Sequence, residues 1–116
     1  MAVMLHITSR RRWRDAQASG AYTAPSLETQ GFIHCSTREQ VVAVANFLFR
    51  GQRDLLLLCI ETERLDVNVR YENLEGGQKL FPHVYGSINT EAVVDVLEFP
   101  VQEDGTFKLP KSLAHL

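Results

Sequence analysis

Cysteine is scarce in this chain. Cys35 and Cys59 are the only two in 116 residues and form no C-x-x-C pair, which excludes a disulfide framework and points to a reducing, cytoplasmic setting. Long apolar runs are also missing. The longest is LLLLCI, Leu55 to Ile60, far short of the roughly 20 residues that cross a bilayer, so no membrane partner is expected. The apolar start of the chain is brief and precedes its arginines, the reverse of a secretory signal. Finally, no charge of one sign dominates. A formal net charge of −2 speaks against a surface built to grip nucleic acid. The length predicts one domain, residues 1–116, with one core.

The charge that is present is unevenly spread. Residues 1–53 hold seven Arg against three acids, giving +4, and residues 54–116 hold five basic against eleven acidic residues, giving −6. Much of the positive excess lies in RRRWR, Arg10 to Arg14, directly after a helix cap at Thr8 or Ser9. Cations in a first helical turn oppose the helix dipole, and a bound anion would relieve them. A solvated face with Trp13 turned inward explains the same run without a ligand.

The apolar periodicity changes often and shows no repeat. Met4 to Ile7 reads as a strand, and Trp13, Ala16 and Gln17 as a helix that Gly20 stops. Residues 21–30 read as a long loop. After a strand Phe32 to His34, Ser36 and Glu39 make an S-x-x-E capping box before a helix carrying Val41, Val44, Ala45 and Leu48, ended by Gly51. Leu55 to Ile60 reads as a strand covered on both faces, and Val67 to Glu72 as a half-exposed one. A turn at Glu75 to Lys79, an extended Leu80 to Tyr85, a helical turn at Asn89 to Ala92, a buried strand Val93 to Phe99 and a polar tail from Pro100 complete the pattern. With two main helices, both in the N-terminal half, and strands in the majority, the class is α+β.

Two segments concentrate the chemistry: GFIHCST (Gly31 to Thr37) and FPHVYG (Phe81 to Gly86). Each sets a histidine between apolar residues of a strand, as VMLHITS does for His6. Imidazole suits proton transfer, phosphate contact and metal ligation near neutral pH, so His6, His34 and His83 are the candidate catalytic residues, with at least two rings expected to share a cleft. A histidine bonded to a backbone carbonyl is the purely structural alternative for each. Strand alternation places Phe32 and His34 on one face and Ile33 and Cys35 on the other, and groups Phe81, His83 and Tyr85. Cys35 is either a nucleophile near a helix start or a buried, inert thiol. A three-histidine zinc site is conceivable, but no H-x-H or H-E-x-x-H spacing supports one and no metal is expected. Ser26, Glu28, Glu72 and Asn89 are further polar candidates.

GFIHCST following HIT, then DLLLL, then LFPHVYG, resembles the bacterial domain of unknown function 952 family over nearly the whole chain. That resemblance implies an α+β fold related to ADP-ribosyltransferases, a mostly antiparallel split sheet. In such enzymes a first-strand H-G-[ST] holds a ribose hydroxyl, a Tyr stacks on nicotinamide and a late-strand Glu stabilises the oxocarbenium-like transition state. His6-Ile7-Thr8, Gly31 to His34 and Leu55 to Glu61 are similar to the first three blocks in order. Ile33 stands at the Tyr position and His83 where the acid would be. RNA 2′-phosphotransferases share this fold and use His with Arg. The resemblance thus implies NAD, a related nucleotide or another phosphate ligand as cofactor or partner, with Thr8, Arg10, Phe32, Ser36 and Tyr85 lining its site. A noncatalytic ligand- or protein-binding module remains the rival expectation.

Overall fold

The computed structural model describes residues 3–73 and 79–113. In chain order its elements are β1 (Val3–Ser9), α1 (Arg10–Ser19), β2 (Ala21–Tyr22), α2 (Pro25–Gln30), β3 (Ile33–His34), α3 (Val41–Leu48), β4 (Leu55–Glu61), β5 (Val69–Glu72), β6 (Phe81–Val84), β7 (Ile88–Asn89) and β8 (Val93–Glu98). Single 3-10 turns occur at Thr62–Arg64, Thr90–Ala92 and Lys111–Leu113. All pairings are antiparallel, in sheets of order β1-β4-β8, β2-β7 and β3-β6-β5. The fold is α+β.

β4 is the hinge of the packing. As the middle strand it has both faces covered, and Leu55 to Ile60 are all buried. Leu55, Leu57 and Cys59 join Leu5 and Ile7 of β1 against Val41 and Ala45 of α3 and against Phe99, Phe107 and Leu113. Leu56, Leu58 and Ile60 face the other way and, with Met4, meet Trp13, Tyr22, Ile33, Val84 and Ile88. This second apolar layer lies between β1-β4-β8 and β3-β6-β5. Each buried Leu or Ile stabilises it by about 1.5–3 kcal/mol relative to exposure.

Several sequence expectations need correction. Residues 21–30 are not a loop: β2 and α2 lie there. Pro25 supplies the preset φ of a first helical residue, and Gly31, at φ 88°, closes α2 by donating its N–H to the carbonyls of Leu27 and Ser26. Three helices precede residue 50 rather than two. The capping box sits one residue later than expected: the side chain of Gln40 accepts the N–H of Thr37 at 3.1 Å, a T-x-x-Q variant, while Ser36 is buried and pairs through its backbone with Leu5. β8 is an edge strand, half exposed rather than buried. The tail is not merely polar, since Phe107 stacks on Phe99 with ring centres 4.8 Å apart. The turn expected at 75–79 lies, Lys79 excepted, outside the described residues. No helix among the described residues is long and apolar enough to cross a membrane.

Candidate functional site

His34 and His83 are direct partners across β3 and β6. The neighbouring pair Ile33 and Val84 turns into the apolar layer, both wholly buried. Strand alternation therefore sends the two histidines to the outer face, where their ring centres are 5.3 Å apart. Phe32 lies among them, stacked on His83 at 4.2 Å and edge-on to His34 at 4.8 Å. It covers His83, which keeps only 4% of its surface exposed, whereas His34 is exposed. The side-chain carbonyl of Gln30, at the end of α2, accepts from Nε2 of His34 at 2.5 Å.

β5 completes the face. Its Arg70 is the register partner of His83, and Glu72, two residues on, shares Arg70's side. Glu72 Oε1 accepts from Nδ1–H of His83 at 3.0 Å and from the Tyr85 hydroxyl at 2.5 Å. Those two donors, the tyrosine first, hold the Glu72 carboxyl below its ordinary value. The same bond raises the Tyr85 hydroxyl. The Arg70 guanidinium stands 5.1 Å above the Tyr85 ring. With Nδ1–H committed to Glu72, Nε2 is the nitrogen of His83 left to exchange a proton. No wholly buried side-chain polar atom lacks a hydrogen bond among the described residues. Among the described residues Nε2 of His83 makes none, which leaves that nitrogen within the small part of the ring that stays exposed. Gly86 then ends the segment: a Cβ there would come within 2.7 Å of Val67 Cγ1, at a φ of 154° that side chains rarely adopt.

His6 stands apart from this pair. It points into the layer between the sheets, 8% exposed, and both of its ring nitrogens are used. Nδ1–H donates to the carbonyl of His34 at 2.6 Å, and Nε2 lies 2.6 Å from the Tyr22 hydroxyl. That hydroxyl is 2.8 Å from Thr8 Oγ1. Burial lowers His6 from 6.5 to about 4, partly offset by the His34 carbonyl, and raises Tyr22 to about 12. The ring is neutral at pH 7.

The remaining expected positions scatter. Thr8 is buried beneath Tyr22 and does not reach the outer face. Arg10 forms a two-pronged pair with Glu98 at 2.9 and 2.5 Å and lies 3.8 Å from Asp54, so the first arginine of the run already has its anions. Ser36 is buried against β1. Phe32 and Tyr85 do belong to the histidine face. Of the weaker candidates, Glu72 lies in it, Ser26 and Glu28 lie on α2, and Asn89 clamps a turn by bonding the N–H of Asp66 and the carbonyl of Arg64. Cys35 is buried, and burial pushes its thiol upward; Cys59 is raised to about 11. Neither is an activated nucleophile. Sequence reading missed Tyr22, Gln30 and Arg70. No three His, Cys, Asp or Glu among the described residues gather as a metal site.

A shallow hollow of about 140 Å³ lies elsewhere, lined by Arg12, Asp15, Ala16, Ser19, Ala21 and Thr23. None of the three histidines lines it.

This arrangement of split antiparallel sheets with helices on the first half of the chain is shared by solved structures. The crystal structure of protein CC0527 from Caulobacter crescentus matches with a TM-score of 0.88 and 33% identity, over 97% of this chain and 99% of that one. Its solution NMR structure gives 0.80 and 33%, over 100% and 97%. The chain is therefore an α+β protein similar in fold to CC0527. It belongs to the family described as Protein of unknown function (DUF952), whose sequence profile matches residues 7–96. No curated protein matches it.

Proposed function

We propose that the outer face of β3-β6-β5 binds the phosphorylated ribose of a nucleotide, with His83 as the acid–base group of the site. One observation carries this reading: the 3.0 Å bond from His83 Nδ1–H to Glu72. A carboxylate that fixes one ring nitrogen and leaves the other toward solvent is how an imidazole is prepared to take a proton from a hydroxyl or water. Arg70 supplies a fixed positive charge beside it, and His34 offers a second imidazole 5.3 Å away.

The ADP-ribosyltransferase relation is part of the proposal. The antiparallel split sheets and the order of β1, β3 and β4 support it, and Glu72 gives the site a carboxylate next to an imidazole. It sits on β5 rather than on a late strand, so its role is to orient His83. His6 takes no part in ligand contact, because both ring nitrogens are occupied. A noncatalytic binding module is the second reading. The exposure of His34 beside a covered His83 favours it, since a ligand can contact the one ring without reaching the other.

Titrating ribose 5-phosphate, ADP-ribose and NAD into labelled protein tests the proposal. Resonances of His34, Arg70, His83 and Tyr85 should move together, and the response should weaken with salt. No movement at millimolar ligand overturns the reading. Turnover of a labelled nucleotide separates the enzyme from the binding module.

A further inference from the structure

We infer that His6 is a positioning residue, a buried bracket that sets the His34–His83 pair from behind; this rests on the outer face being the binding site. β3 is only two residues long, too short to hold itself. The chain from His34 to Ser36 is instead strung between two strands. On one side Cys35 donates its N–H to the Pro82 carbonyl of β6 at 3.0 Å. On the other, Ser36 exchanges two backbone hydrogen bonds of 2.8 Å with Leu5 of β1, and the carbonyl of His34 takes Nδ1–H of His6 at 2.6 Å. The His6 bond thus fixes the backbone carbonyl of the residue whose own ring faces the site.

The bracket is itself locked. A neutral His6 that donates from Nδ1 must accept at Nε2, so the Tyr22 O–H points to it, and the Tyr22 oxygen is left to accept from Thr8. The ring packs edge-on to Tyr22 at 5.0 Å and 67°. Rotating the ring would strand a buried donor and a buried acceptor together. The chain Thr8–Tyr22–His6 therefore passes the rigidity of β1 and β2 to β3, and through the register pair to His83.

The experiment follows the ring resonances of His34 and His83 by NMR in the wild type, His6→Leu, His6→Asn and Tyr22→Phe, first alone and then with ribose 5-phosphate. His6→Leu should displace both rings' resonances and weaken ribose 5-phosphate binding by about tenfold, the scale of one lost hydrogen bond to a site of fixed geometry. His6→Asn, whose side-chain N–H falls where Nδ1–H was, should recover most of both. A folded His6→Leu protein with unmoved resonances and unchanged affinity overturns the inference. If His6→Leu does not fold, Tyr22→Phe decides: a smaller displacement in the same direction supports the bracket, and none overturns it. If ribose 5-phosphate binds no form of the protein, the phosphate reading falls, while the ring resonances without ligand still decide the role of His6.

Discussion

His6 and His83 are hidden almost equally, at 8% and 4% exposure, yet they sit in opposite chemical settings. His6 has a carbonyl and a hydroxyl as partners and no carboxylate, so burial outweighs the bond to the His34 carbonyl and keeps it neutral. His83 has Glu72, and its second nitrogen reaches water. The lesson is that burial of an imidazole says little about its work. What matters is whether its last free nitrogen is spent inside the fold or offered outside it.

The largest expected effect sharpens the His6 side of the contrast. Its proton affinity is lower folded than unfolded, so as pH falls below 6.5 the unfolded chain takes up the proton first and stability drains away until about pH 4. The loss should approach about 3 kcal/mol. Denaturant melts at pH 7, 5.5 and 4 measure it, and His6→Leu should remove most of the slope attributable to this ring. A wild-type slope that His6→Leu leaves untouched would break the comparison at its buried end.

The second prediction bears on His83. Glu72→Gln keeps an acceptor for Nδ1–H but removes the charge, so the fold should persist. Nucleotide turnover, if the site has it, should fall about a hundredfold, the scale of an acid–base contribution. Steady-state rates and a thermal melt on the same sample check both halves. A lowered melting temperature with unaltered turnover would make Glu72–His83 a structural pair like His6–Tyr22.

The smallest effect is a control. Phe47 is 85% exposed on α3, on the other side of the central sheet. Phe47→Asp should shift stability by no more than about 0.5 kcal/mol and leave the resonances of all three rings in place. Movement at His34 or His83 would mean that the two faces of the sheet communicate.

The elements with clear apolar patterns were legible in the sequence: α1, α3, β4 and β6 fall where periodicity put them, although α3 ends at Leu48, before Gly51, and its cap is shifted by one residue. β2 and β3 have two residues each and therefore no period to read. That is why Tyr22 lay hidden in a presumed loop. Alternation did put Phe32 with His34 and His83 with Tyr85 on shared faces, but not in contact with each other, because nothing local says that residue 34 lies beside residue 83. Glu72 read as an exposed strand residue, and only the register of β5 against β6 turns it toward His83. Arg10 looked like an anion ligand because its partners, Asp54 and Glu98, are remote in the chain.

That last pair has a consequence for how the molecule comes together. Arg10 and Glu98 are 88 residues apart, and the sheet that joins them runs β1-β4-β8, each neighbour separated by a long stretch of chain. Such remote pairings pay loop-closure entropy before they return contact energy. During synthesis β1 has no sheet partner beyond the single bridge to Ser36 until β4 emerges, and the sheet is not finished until β8 follows. The opposite charges of the two halves act at that moment: they draw an early, basic segment toward a late, acidic one, and the guanidinium of Arg10 latches the two edge strands across the end of β4.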